Sequence, residues 1–159
     1  MLARRAYSIA ELRRGLQRKF GATAEVRDAV ARLRALGYLD DRKFAEHYAS
    51  SLVQNRAFGR LRVRRELKAK LVDYRHIDPA LQQAFEASDE RALLERTLDK
   101  KIRALRLPVT LRKLSSLCQS LLRHGFRADD IMNAVRARPE LKPVAEDVSD
   151  LELESEEKG

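Results

Sequence analysis

The chain has 159 residues and carries 33 Lys and Arg against 24 Asp and Glu, a net charge of +9. Residues before Pro139 hold 31 basic and 16 acidic side chains, whereas the segment 139–159 holds eight acids and two lysines. A lone cysteine excludes a disulfide framework, and no apolar run approaches the ~18 residues of a membrane span. We expect a cytoplasmic protein whose basic body either binds an anionic partner or presents a solvated surface.

Apolar residues recur at helical spacing along the chain, without the alternation that marks half-buried strands, so the pattern predicts an all-α fold. Near the start, Ser8 and Glu11 have the spacing of a capping box, in which each side chain accepts a hydrogen bond from the other's backbone N–H. A longer helical pattern runs from Arg42 to about Gln54, and Asp40 or Asp41 can cap it.

Farther along the chain, Asp78 and Pro79 combine a capping side chain with a proline suited to the first helical position. A second long helical pattern runs from Glu90 to about Leu105. Both long patterns follow a pair of shorter ones, which predicts units of three helices.

The sequence repeats itself, with offsets of 51 and then 54 residues. Six apolar or small positions keep the same order in three segments: Leu12, Leu16, Phe20, Val26, Ala29 and Val30; Val63, Leu67, Leu71, Ile77, Ala80 and Leu81; Leu117, Leu121, Gly125, Ile131, Ala134 and Val135. We predict three-helix repeats at 1–56 and 57–107 and an incomplete one at 108–138. Because small units cover their apolar faces by stacking, we expect an elongated, curved array.

The acidic segment 139–159 loses the helical pattern and is too polar to bury a core, so we predict a disordered tail. The favoured interpretation is a solubilising terminus, and a tail that folds back on the basic body is the alternative. Leu151 and Leu153 are the apolar residues that could dock on a partner.

The densest positive charge lies between Arg60 and Lys70, where Glu66 is the only acid. On a helical wheel, Val63 and Leu67 share one face and the cations Arg62, Arg64, Arg65 and Lys68 spread over the opposite arc. The equivalent stretch of the first repeat carries Arg13, Arg14, Arg18 and Lys19. These cations either form a solvated face or contact a partner, and nucleic-acid binding through them would weaken steeply with salt.

Enzymatic interpretations are weak. Adjacent Asp40 and Asp41 fit helix capping better than metal binding, and the three histidines lack the spacing of a zinc site. Cys118 fits a small core thiol. Since the sequence also lacks a Gly-rich phosphate loop and a nucleophile elbow, we predict no catalysis, no metal and no cofactor.

Three segments of the sequence form a recognisable set. They are Tyr7-Ser8-x-x-Glu11-Leu12-Arg13 with Leu16 and Lys19, then Leu33-x-x-Leu36-Gly37-Tyr38-Leu39-Asp40-Asp41 with Phe44, Ala45 and Tyr48, and then Arg62-Val63-Arg64-Arg65-Glu66-Leu67 with Lys70. Together they resemble the RecX family of bacterial recombinase regulators. The likeness covers residues 7 to about 138, and the Gly-Tyr-Leu-Asp-Asp segment is its most specific part. The Lys-Gly that usually ends the first helix of the second unit is Lys70-Leu71 here.

The resemblance implies a non-enzymatic protein of tandem three-helix repeats that binds the RecA–DNA filament along its groove. It implies inhibition of the ATP hydrolysis, strand exchange and co-protease activity of RecA, with consequences for recombinational repair and the SOS response. DNA would be contacted weakly or through the filament.

Two sets of residues follow as predictions. The first should fix the packing of the first unit's third helix, with Tyr38 and Phe44 as anchors: Gly37, Tyr38, Leu39, Asp40, Asp41, Phe44 and Tyr48. The second should contact the partner: Arg62, Arg64, Arg65, Lys68 and Lys70, then Arg13, Arg14 and Lys19. Two alternatives stay open, a helical protein that binds DNA directly and a scaffold for another protein with incidental charge.

Overall fold

The computed structural model describes residues 5–144, which form eight α-helices and one short 3₁₀ turn. The helices are α1 Ile9–Phe20, α2 Ala24–Ala35, α3 Asp41–Arg56, α4 Arg60–Ala69, α5 Tyr74–Glu86, α6 Glu90–Ala104, α7 Leu111–His124 and α8 Ala128–Arg136, followed by the turn Pro139–Leu141. No strand occurs in this part of the chain, so the predicted all-α fold is confirmed.

The helices pack mainly against their neighbours along the chain. The helix pairs α1 with α2, α4 with α5, and α7 with α8 are in contact, and the two long helices α3 and α6 lie between successive pairs. Helix α3 packs on α4 and α5, whereas α6 packs on α7 and α8. Each long helix therefore packs on the pair that follows it, in an array of helical repeats as predicted.

The apolar core is divided unequally. One large cluster of buried side chains runs from Phe44 in α3 to Leu141 in the final turn. The pair α1–α2 has a separate small cluster built on Leu12, Val30 and Leu39, with Tyr7 among the half-buried side chains around it. The α1–α2 pair therefore does not share the apolar core of the rest of the protein.

The repeated positions are mostly the buried ones. Leu12, Val63 and Leu117 are equivalent in the repeat, and their exposed fractions are 2%, 0% and 5%. The first repeat deviates: Ala29 is exposed, Phe20 at the end of α1 is 59% exposed, and Leu16 is only half-buried. The sequence repeat therefore reflects a repeated packing scheme that is weakest in the first unit.

Helix α5 begins five residues earlier than predicted from Asp78 and Pro79. Asp73 is its N-cap and accepts a hydrogen bond from Arg75 N at 3.0 Å, so Pro79 lies inside the helix. An earlier start is favoured because Ile77, which is 2% exposed, then anchors the first turn in the core. The predicted cap at Asp78 was wrong because an equivalent cap stood five residues upstream.

The boundary of the acidic tail was also predicted too early. Pro139–Leu141 form a 3₁₀ turn, Leu141 is 2% exposed, and Val144 N donates to Val109 O at 2.9 Å. Residues 139–144 therefore belong to the folded body. The rest of the predicted tail, 145–159, lies outside the described residues.

Candidate interaction surfaces

In the first two units, the start of the first helix is held by the first residue of that unit's third helix. Ile9 N donates to Asp41 Oδ1 at 2.8 Å, and Arg60 N donates to Glu90 Oε1 at 2.7 Å. Ile9 and Arg60 are 51 residues apart, which is the repeat offset, so the two contacts are equivalent. Each carboxylate satisfies an otherwise unpaired N–H at the positive end of a helix, which is favourable.

A second repeated contact joins each unit to the next. Before α1, the Ser8 hydroxyl donates a short hydrogen bond to Lys70 O at the end of α4. Before α4, Gly59 N donates to His124 O at 2.8 Å, at the end of α7. We call these the first joint (Ser8 with Lys70) and the second joint (Gly59 with His124 and Gly125).

The first joint also contains an ion pair. Lys70 Nζ lies 3.2 Å from Glu11 Oε1, and Arg5 Nη1 lies 3.0 Å from the same oxygen. Glu11 Oε2 is buried and has no hydrogen-bond partner among the described residues. In the capping box, Ser8 accepts from Glu11 N at 3.1 Å as predicted. The predicted return bond from Glu11 to Ser8 N is replaced by the ion pairs with Lys70 and Arg5.

Three of the five cations predicted on α4 are already engaged by acids of this chain. Arg62 Nε lies 2.7 Å from Glu66 Oε1, and Arg64 Nη1 lies 2.7 Å from Asp78 Oδ1. Lys70 is the third, through Glu11. Since a paired cation must exchange one acid for another, these side chains are poorer partner contacts than the sequence suggested.

The remaining predicted cations are exposed. Arg65 and Lys68 on α4 form no ion pair within residues 5–144, nor do Arg13, Arg14 and Lys19 on α1. Lys19 Nζ lies 5.2 Å from the ring centre of Phe20, a cation–π distance. Arg14 and Arg65 are 51 residues apart, so they occupy the same place in successive repeats.

The segment from Gly37 to Tyr48 has the structural character expected of it, with one correction. Leu39 is 3% exposed in the small core, and Phe44, 8% exposed, stacks on Tyr48 at a centroid distance of 5.5 Å. Tyr38 is 70% exposed and is not an anchor. The left-handed backbone at Gly37 (φ 76°) reverses the chain after α2, so Leu39 enters the core in its place.

Asp40 and Asp41 divide two structural roles between them. Asp40 is the N-cap of α3, and its Oδ1 accepts from Lys43 N at 3.1 Å. Asp41 instead reaches α1, as described above. The adjacent carboxylates are therefore explained by helix termini, as their position before a helical pattern predicted.

Sequence reasoning missed a basic cleft between the end of α3 and the face of α6. The cleft has a volume of about 690 Å³, and none of its lining residues is acidic. Its cations come from separate helices: Arg56 ends α3, and Arg96, Lys100 and Lys101 lie on α6. The signal in the sequence was the i, i+4 spacing of Arg96 with Lys100, which places both on one side of a helix.

Other chemical features are sparse in the described part of the chain. Among residues 5–144 there is no cluster of three or more His, Cys, Asp or Glu side chains suited to a metal ion. Burial raises the pKa of the half-buried Cys118 thiol, which disfavours the reactive thiolate. None of the described helices is long and apolar enough to cross a membrane.

Comparison with known proteins decides the family. Residues 40–81 match the family model of the second three-helix domain of RecX. The regulatory protein RecX of Haemophilus influenzae (strain ATCC 51907) is 34% identical over 136 residues, which cover 85% of this chain and 88% of the relative. The chain belongs to the RecX family. The RecX protein of Trichlorobacter lovleyi is 32% identical over 130 residues, 81% of this chain and 84% of its own.

Solved RecX structures share the fold. A crystal structure of regulatory protein RecX aligns with a TM-score of 0.67 at 19% identity, covering 86% of this chain and 66% of that one. RecX from Lactobacillus salivarius aligns with a TM-score of 0.62 at 18% identity, covering 86% of this chain and 88% of that one.

The RecX family model groups the helices differently from the predicted repeat boundaries. Its three-helix domain, 40–81, spans α3, α4 and most of α5, the same helices that pack together here. The sequence repeat instead places α3 at the end of the first unit. The division at 56/57 stays a prediction about the repeat, whereas the packing supports α3–α5 as a compact group.

Proposed function

We propose that this chain is a non-enzymatic cytoplasmic regulator that binds the RecA–DNA filament in its groove and inhibits ATP hydrolysis, strand exchange and co-protease activity by RecA. Membership of the RecX family supports the partner, and its relatives are named regulatory proteins. Through RecA, the protein would limit recombinational repair and the SOS response.

The observation that carries the proposal is the periodic placement of cations that have no acidic partner in the described chain. Arg14 and Arg65 stand at the same repeat position on α1 and α4, and both are exposed. A nucleoprotein filament is itself periodic and anionic, so equivalent cations on successive units suit equivalent sites on successive subunits.

The sharpest test reverses the two exposed cations of α4. The variant Arg65→Glu/Lys68→Glu breaks no ion pair in residues 5–144, unlike reversal of Arg62 or Arg64. We expect the concentration that half-inhibits the RecA ATPase on single-stranded DNA to rise about tenfold or more, which corresponds to ~1.4 kcal/mol of binding energy. Melting temperature and helicity should stay close to those of the wild type.

A matched control separates this surface from net charge. The variant Lys43→Glu/Arg91→Glu changes the net charge equally, and both positions lie in the first turns of helices, where an acid is favourable. It should inhibit RecA as the wild type does. If both double variants lose inhibition of RecA equally, or if neither loses it, α4 is rejected as the contact surface.

The test also addresses the alternative of direct DNA binding. Titration well below the RecA concentration, beside DNA binding without RecA, distinguishes the two. Inhibition at a low ratio with weak binding to naked DNA supports filament regulation. Strong, salt-sensitive DNA binding without inhibition would overturn it in favour of a protein that acts on nucleic acid directly.

A further inference from the structure

The α3–α6 cleft is basic because α6 separates its charges onto two sides. Glu95 Oε2 and Asp99 Oδ1 lie 2.8 and 2.7 Å from the guanidinium of Arg138, next to the end of α8. Arg96 and Lys100 line the cleft on the α3 side and form no ion pair within residues 5–144. Glu95 and Asp99 are thus paired with Arg138 on one side of α6, and Arg96 and Lys100 face the cleft on the other.

Two of the basic groups at the cleft are tied to Ser120 of α7. Lys101 Nζ donates to Ser120 Oγ at 2.7 Å, and His124 Nδ1 lies 3.0 Å from Ser120 O. Between the charged groups, the lining mixes small apolar side chains, Ala57 and Ala104, with uncharged polar ones. The cleft therefore offers cations and small apolar side chains without any acid, which suits a segment that alternates apolar and acidic side chains.

Such a segment exists in the same chain. Residues 145–159, which lie outside the described residues, hold seven acids and one lysine, and they include the alternating run Leu151-Glu152-Leu153-Glu154. We propose that the α3–α6 cleft binds this acidic segment of its own chain. In this arrangement, the glutamates would pair with the cations of the cleft, and the leucines would contact its apolar side chains.

The end of the described chain supports this occupant. Val144 N donates to Val109 O at 2.9 Å, and Val109 follows only five residues after Ala104, which lines the cleft. Fifteen residues extend up to ~50 Å, so reach is not limiting. A short tether also gives an effective concentration of about 1 mM, which lets even weak contacts fill the site. The inference stands without the proposed function, because it concerns one chain alone.

Carbodiimide coupling of the full-length chain at low salt tests the contact, because it links only carboxylates and amines in direct contact. Mass spectrometry should find links from acids of 152–157 to Lys100 and Lys101 about fivefold more often than to the exposed Lys43 or Lys68. In 1 M NaCl, where charges are screened within ~3 Å, that preference should disappear. Links spread evenly over all lysines would overturn the proposal.

Paired variants locate the site. Arg96→Glu/Lys100→Glu should abolish the links to Lys101, whereas Arg65→Glu/Lys68→Glu, an equal charge change on α4, should leave them in place. Loss of the Lys101 links in both variants would mean that the tail is attracted nonspecifically by positive charge, and it would overturn the cleft as the site. Mixing isotopically light and heavy chains checks the tether, since links between copies would overturn docking within one chain.

A second measurement does not depend on coupling or on variants of the cleft. Replacing Glu152, Glu154, Glu156 and Glu157 by Gln should speed acetylation of Lys100 about threefold, the factor expected if the cleft is occupied two-thirds of the time. Acetylation of Lys68 should not change. An unchanged rate at Lys100 would reject the docking.

Discussion

The two joints between successive units occupy equivalent places in the repeat and are built from different chemistry. In the first joint, a side-chain hydroxyl, Ser8, reaches the end of α4, beside the ion pair of Glu11 with Lys70. The second joint consists of hydrogen bonds between backbone groups. Gly59 N donates to His124 O at 2.8 Å, and Leu61 N donates to Gly125 O at 3.2 Å.

Because of this difference, the first joint can adjust to small changes in side chains, whereas the second joint tolerates almost no added atoms. A Cβ added at Gly59 would lie 2.6 Å from Gly125 O, so two glycines are required for the second joint to close. The first joint keeps the backbones apart by one side chain, and its small core is separate from the main one. We therefore expect the first pair of helices to open independently and the second joint to open only with global unfolding.

The largest expected effect is at the second joint. In Gly125→Ala, the new Cβ would stand 2.2 Å from Arg62 N, and the backbone is left-handed there (φ 93°). We expect a loss of about 3 kcal/mol or more in the free energy of unfolding, measured by urea denaturation.

Gly37→Ala is the matched control for that change. Its backbone is also left-handed (φ 76°), but nothing lies within 4 Å of an added Cβ. Its cost should be only about 1 kcal/mol, from the backbone conformation alone. Similar losses at Gly37 and Gly125 would show that close packing does not hold the second joint.

Next in size is Ser8→Ala at the first joint, which removes the N-cap of α1 and the hydrogen bond to Lys70 O. We expect a loss of about 1–2 kcal/mol. Hydrogen exchange should accelerate in α1 and α2 and remain unchanged in α7 and α8. Thr23→Ala is the control, because it removes only the cap of α2. It should leave hydrogen exchange at the Lys70 and Leu71 amides unchanged. Faster exchange at these two amides in Thr23→Ala would argue against a specific joint.

The contact between the first and third helices, which is repeated in the first two units, should give a smaller effect of equal size in each unit. Asp41→Asn and Glu90→Gln each replace a carboxylate that accepts from the start of a first helix. Each should cost about 1 kcal/mol in thermal or urea unfolding, and the double variant should be additive. Strongly unequal costs would contradict the equivalence of the two contacts.

The smallest effect is expected from Leu71→Gly, which makes the end of α4 resemble that of α7. Leu71 has a left-handed backbone (φ 60°) where Gly125 stands in the next repeat. Glycine would relieve about 1 kcal/mol of backbone strain. This gain is offset because the contacts of the half-buried leucine are lost and because glycine gives the unfolded chain more conformational entropy. Stability should stay within about 0.5 kcal/mol of wild type, and a loss above that would mean that Leu71 packs into the joint.

The fold was largely predictable because the repeat and the helix periods are local properties of the sequence. The six columns in phase predicted the pairs, and Ser8 and Asp40 predicted two caps correctly. Where several residues compete for one role, tertiary contacts decided: Asp73 displaced Asp78 as a cap because Ile77 is buried. Leu39 likewise took the buried place expected for Tyr38.

The candidate surfaces were less predictable, because charge pairing depends on helices that are distant in sequence. A helical wheel places Arg64 on an open face of α4, and only the fold brings Asp78 of α5 within 2.7 Å. The α3–α6 cleft joins Arg56 to Lys100 across a connection that no local pattern specifies. The contact of Gly59 with Gly125 is equally invisible in sequence, since two glycines 66 residues apart carry no sign of their pairing.

The turn at Pro139–Leu141 stands where the third unit would begin a third helix. Arg138 reaches back to Glu95 and Asp99, and Leu141 enters the core, so the chain folds onto α6 and α7. In the two earlier units, the third helix provides the surface on which the next pair packs. Within residues 5–144, the turn takes the place of that helix and covers this side of the last pair, as a capping element does at the end of a repeat protein.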